Sequence, residues 1–184
     1  SAYPKDVMDK TVENATKVEL IQDGNGLGNY ESATPFPIPQ NGLEAIWNHI
    51  TRYRGGSVQR NVGQATPTAN GAYSIVRFQD EITWNTALSD YKKGQDDNVL
   101  FYFKQAITGP ARLAGNVLLV HETIDQVKEP RRAWVYNAGQ RRVRRAPQVA
   151  YDGPGTAADG MRTSDNFDMF NGAPDRYNWE LLGK

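Results

Sequence analysis

Two short runs constrain this fold more than anything else in the chain. Val99-Leu100-Phe101-Tyr102-Phe103 and Val117-Leu118-Leu119-Val120 carry β-branched, aromatic or leucine side chains at both odd and even positions. A strand with one face in water alternates apolar and polar residues. These runs do not alternate, so each strand needs cover on both faces. Two stretches of the sequence read as sizeable helices, which is enough to roof one face of a large sheet. The other face then needs more chain, a partner protein or an apolar ligand.

The helices are residues 4–15 and 42–53. Pro4 suits a first helical turn, with Val7, Met8, Val12 and Ala15 falling roughly on one face. In the second, Leu43, Ile46, Trp47 and Ile50 follow the helical period. Asn41 is its N-cap, Glu44 the capping-box partner, and Gly55-Gly56 the stop. Lys17–Gln22 reads as a strand. Gly24-Asn25-Gly26-Leu27-Gly28 reads as a loop, and Pro35-Phe36-Pro37-Ile38-Pro39 as extended chain. From Ser57 onward strands are expected near 57–65, 72–80, 81–85, 97–107, 112–124, 131–137, 141–146 and 177–183. Sequential strands joined by short links predict an antiparallel meander. The expected class is therefore mainly β (α+β): a curved antiparallel sheet or incomplete barrel with about two helices packed on it. Residues 1–184 are expected to form a single domain.

Six arginines crowd the hairpin from Arg131 to Arg145, around a turn at Asn137-Ala138-Gly139. Alternation puts Arg142 and Arg144 on one face and Arg141 and Arg145 on the other. That split weakens a phosphate platform and favours a salt-bridged or solvated edge, which lysine and arginine commonly protect. Lys+Arg and Asp+Glu balance at 21 each, which argues against a nucleic-acid binder. Asp152, Asp159, Asp165, Asp168 and Asp175 follow the hairpin, and some are expected to pair with its arginines. Their spacing lacks the alternating register and closing glutamate of a calcium loop. Asp165-Asn166-Phe167-Asp168 reads as the cap of a short helical turn.

No catalytic constellation emerges. The chain has no cysteine, which excludes disulfides, thiolate zinc sites and thiol nucleophiles. His49 and His121 stand apart from any nucleophile motif and read as half-buried hydrogen-bonding residues. The Gly24–Gly28 run has neither nucleotide-loop spacing nor a following helix. Trp47, Trp84, Trp134 and Trp179 can line an apolar cavity or belong to the core. Ser1–Asp6 is polar, unlike a signal peptide, and no apolar run approaches the length of a membrane span.

Leu43-Glu44-Ala45-Ile46-Trp47-Asn48-His49, preceded by Pro35–Pro39 and followed by Arg52-Tyr53-Arg54-Gly55, carries a family resemblance. So do the Arg132–Pro147 hairpin and the stretch from Arg162 to Tyr177. Together they resemble domain-of-unknown-function family 1329, exported proteins of Gram-negative bacteria. The hairpin is also similar to the outer-membrane lipoprotein-sorting (LolA/LolB-like) superfamily. The resemblance implies an incomplete barrel with an apolar concavity, a periplasmic location after signal-peptide removal, and an RND-type exporter as partner. It also implies that this chain is an internal fragment of a longer protein. It supplies no catalytic residue.

The expected function is binding and transfer of a lipid or other hydrophobic molecule in outer-membrane lipid or lipoprotein trafficking, without catalysis, metal or cofactor. Peripheral membrane contact is compatible with it. Trp47, Phe101, Phe103, Leu118 and Trp134 are the expected groove; Arg141, Arg142, Arg144 and Arg145 are the anion or salt-bridge residues. Burying a long acyl chain gains on the order of 10 kcal/mol before ordering costs. An adaptor whose apolar sheet face docks a partner protein is the alternative, and a hydrolase is the third possibility.

Overall fold

The computed structural model describes residues 3–146 and 149–183. Its elements are α1 (Lys5–Asn14), β1 (Glu19–Ile21), β2 (Gly26–Gly28), α2 (Gly42–Ile50), β3 (Ser57–Pro67), β4 (Tyr73–Trp84), β5 (Val99–Gly109), β6 (Val117–Thr123), β7 (Arg132–Asn137) and β8 (Arg142–Arg145). Strands β3 to β8 form one six-stranded sheet in sequence order, every neighbouring pair antiparallel; β1 and β2 pair separately. This is the expected meander. The sheet is open, with β3 and β8 at its edges, and no closed barrel forms among the described residues.

Register assigns the faces, because residues directly opposite across a ladder share one. One row runs Arg60, Asp80, Gln105, Leu118, Val135, Arg144 across all six strands. Beside it run Val58, Ile82, Phe103, Val120, Ala133 and, on the other side, Val62, Phe78, Ile107. We call this face inner. The outer face carries Thr83, Tyr102, His121, Arg132 and Glu81, Lys104, Leu119, Trp134, Arg145.

Helix α2 covers one end of the inner face. Trp47 and Ile50 pack with Leu27, Leu100, Phe101 and Ile124 in one apolar cluster. Asn41 caps it as expected, its Oδ1 accepting from the Glu44 amide at 2.9 Å, while Glu44 accepts the Gln40 amide at 2.6 Å. The helix ends at Ile50, earlier than expected, where the Thr51 hydroxyl donates to the Trp47 carbonyl at 2.7 Å. Val76, Phe78 and Ile107 form a second cluster at the far end, joined by Leu113 and Ala157. Between the two clusters the irregular segment 149–171 crosses the inner face.

The doubly apolar strands thus find shelter by a different route from the expected one. Helix α1 contributes no roof: Met8 and Val12 are exposed, and Asn14, its buried residue, binds the carbonyls of Ser32 and Thr34. Irregular chain and α2 cover the inner face instead. On the outer face Tyr102, His121 and Trp134 stack edge-on with ring centroids 4.8 Å apart, so side chains shelter one another.

Other expectations are corrected. Strand β4 is continuous through the proposed break at 80–81, because Asp80 turns inward to a partner and leaves the ladder intact. Strand β6 starts at Val117, after turns spanning Pro110–Asn116 in which Gly115 (φ +86) sits against Ala138. Gly26–Gly28 is strand, not loop. No strand forms at 177–183; Tyr177 and Trp179 stack on Phe170, and the Trp179 backbone passes so close to Gly42 that a Cβ there would collide. Pro147, where the hairpin motif ends, lies outside the described residues.

Candidate functional site

Between the inner face and segment 149–171 lies a half-enclosed cavity of about 500 Å³. That volume falls in the range of roughly 300–1,000 Å³ occupied by small-molecule sites. Its floor is apolar: Val58, Ile82, Phe101, Phe103, Leu118 and Val120, with Val135 beside them. Each reaches this face because strand alternation places every second side chain there. The roof comes from Val149, Gly153–Pro154, Phe167 and Phe170.

A polar belt crosses the floor. Asp80 is buried, accepting from Arg60 Nε at 3.1 Å and Gln105 Nε2 at 2.9 Å, so its charge is paired and hydrogen-bonded. Arg131 forms the second polar centre. Its guanidinium donates to Glu122, to the carbonyls of Val149 (2.9 Å) and Asn171 (3.2 Å), and to Asn171 Oδ1 (2.7 Å). One buried side chain therefore ties β6 to both ends of the crossing segment. Its Nε has no acceptor.

The roof is anchored to α2 by a third cluster. Asp168 accepts from Arg52 at 2.5 Å and Arg54 at 2.8 Å. His49 Nε2 lies 2.9 Å from the Asp168 carbonyl and 3.2 Å from that of Phe170, so this nitrogen carries the proton. These contacts hold Asp168 and Met169 in left-handed conformations, φ +59 and +72. Burial pulls the Arg54 guanidinium down, and the Asp168 charge opposes it.

Three of the five expected groove residues, Phe101, Phe103 and Leu118, line the cavity. The other two do not. Trp47 is fully buried in the α2 cluster and donates to the Gly24 carbonyl at 2.8 Å. Trp134 lies on the outer face against His121, one residue out of phase with Val135.

The hairpin arginines take the solvated alternative at the sheet edge, and the expected ion pairs between them and the acidic segment do not form among the described residues. Arg141, Arg142, Arg144 and Arg145 have no carboxylate within 4.0 Å among the described residues, and all are exposed. Arg141 belongs to the turn, with φ +52, and the other three alternate along β8. The aspartates pair elsewhere: Asp152 with Arg176, and Asp168 with Arg52 and Arg54. Asp165 caps no helix; it accepts the hydroxyls of Tyr177 at 2.5 Å and Thr163 at 2.6 Å. No group of three potential metal ligands occurs among the described residues.

Sequence reasoning missed Arg54, Arg60, Asp80, Gln105 and Arg162 as cavity residues. A signal was present for three of them. Arg60 sits between Val58 and Val62, Asp80 between Phe78 and Ile82, and Gln105 between Phe103 and Ile107. Each interrupts an apolar face at its midpoint, in consecutive strands.

Comparison with known proteins adds a family. The model of a family described as "Protein of unknown function (DUF1329)" matches residues 1–184, and the chain belongs to that family. A Pseudomonas aeruginosa protein described as "Uncharacterized protein PA3922" is 70% identical over all 184 residues, which cover 40% of its length. The chain thus spans less than half of that relative. No solved structure matches.

Proposed function

We propose that this family member binds a lipid or other hydrophobic molecule in the cavity between the inner sheet face and segment 149–171, and carries it without chemical change. The observation behind this reading is the floor itself. Phe101, Phe103, Leu118, Val120 and Ile82 meet there beside a cavity of about 500 Å³. Apolar surface of this kind gains about 25 cal/mol per Å² when a ligand removes it from water. A ligand also completes the cover that doubly apolar strands demand. On this reading the site of action is the periplasm, in lipid or lipoprotein trafficking like that of the LolA/LolB-like carriers, with an RND-type exporter as the partner.

The test is titration with the neutral fluorophore 1-N-phenylnaphthylamine. The wild-type chain is expected to bind it with enhanced fluorescence. Leu118→Asp and Phe103→Asp, which place a charge on the floor, are expected to abolish the enhancement, while Leu119→Asp on the opposite face keeps it. A folded Leu118→Asp protein that binds the probe normally contradicts the reading.

A docking role is the second reading. The half-buried outer row Tyr102, His121 and Trp134 is the observation in its favour. Native mass spectrometry of protein purified from a bacterial host separates the two: a co-purifying lipid mass supports the carrier, and a ligand-free dimer supports docking.

A further inference from the structure

Resting on that cavity reading, we propose that the ligand is an amphiphile with a single carboxylate head, of the fatty-acid class, and that Arg162 holds the head. Unmatched charge singles out this arginine. Arg60 is paired with Asp80 and Arg131 with Glu122, and Arg54 shares Asp168 with Arg52. Arg162 also lines the cavity, yet no carboxylate lies within 4.0 Å of it among the described residues. Its acceptors are neutral and distant: Gln64 Oε1 at 3.3 Å and the Thr163 carbonyl at 3.3 Å.

The side chain is nonetheless held in place. It lies over the Phe167 ring, 5.2 Å from the centroid. Gly155 is close by: a Cβ there would come within 3.0 Å of the guanidinium carbon. A side chain at Gly155 would crowd the guanidinium, so the glycine leaves it room. Burial lowers the Arg162 pKa with no opposing charge to offset it. A fixed, partly desolvated guanidinium with weak acceptors is pre-organised for an anion. Its planar fork matches the two oxygens of a carboxylate. The apolar floor of Phe103, Leu118 and Val120 shares the same cavity and takes the tail.

The test is competition against bound 1-N-phenylnaphthylamine with three ligands of equal carbon number: palmitate, hexadecanol and hexadecyl phosphate. Palmitate is expected to bind about tenfold or more tightly than hexadecanol, the value of one charge-assisted pair. Hexadecyl phosphate is expected to bind no more tightly than palmitate. Arg162→Gln is expected to erase the palmitate advantage over hexadecanol, both read against the variant's own affinity for the probe, and Arg162→Lys to keep part of it. Equal binding of palmitate and hexadecanol overturns the proposal, as does a preference for the phosphate. Retention of the palmitate advantage in folded Arg162→Gln also overturns it. If the wild-type chain does not bind the probe, the cavity reading itself fails, and this inference with it.

Discussion

His121 shows how a single residue records its surroundings. It stands on the outer face between Tyr102 and Trp134, opposite Arg132 in the ladder. Burial first, and the Arg132 charge second, hold its pKa below the ordinary 6.5. The unfolded chain then takes up a proton at higher pH than the folded one. This contribution to stability is complete above about pH 6.5 and is lost as the pH falls from there toward the folded pKa. The urea midpoint of the wild type is expected to fall further between about pH 7 and about pH 5 than that of His121→Phe, which keeps the aromatic row. Parallel pH profiles for the two proteins contradict this. The sequence reading of His121 as half-buried was legible from its place on an apolar strand. Its partners were not, because they come from strands on either side.

At the scale of elements, the sheet was readable and its cover was not. Strand alternation and short links identify the meander, since each follows from local chemistry. Helix α2 announced itself through Asn41, Glu44 and the Leu43–Ile50 stripe. The cover over the inner face is irregular chain without periodicity, fixed by long-range bonds such as Arg131 to Val149 and Asn171. Nothing local in 149–171 specifies those bonds. The same remoteness explains why the hairpin arginines were expected to pair with the aspartates, when Asp168 goes to Arg52 and Arg54 just past the end of α2 and Asp152 to Arg176. The Arg131–Glu122 pair makes the dependence testable, with side chains only 4% and 1% exposed. Arg131→Met leaves Glu122 buried without its partner and is expected to cost roughly 3–5 kcal/mol in urea denaturation, whereas Arg131→Met with Glu122→Met recovers much of that loss. A single-variant loss below about 1 kcal/mol shows that this pair does not pin segment 149–171.

For the molecule as a whole, the excess of apolar strand surface over helical roof is resolved asymmetrically. On the outer face three rings stack edge-on and stay half-buried, and the inner face is bridged by a loop that leaves a cavity. The polar belt of Arg60, Asp80 and Gln105 separates two apolar clusters and runs along that cavity. It was visible in the sequence as one polar residue at the middle of each apolar face. Trp47 and Trp134 misled because size and aromaticity mark core as readily as groove, and parity alone separates Trp134 from Val135.

The most direct test of the central claim is methyl-labelled NMR of the protein titrated with 1-N-phenylnaphthylamine. Shifts and probe-to-methyl Overhauser contacts are expected at Leu118, Val120 and Val135, with Val117 and Leu119 unmoved on the opposite face. Contacts confined to the outer-face methyls, or none at saturating probe, contradict that claim.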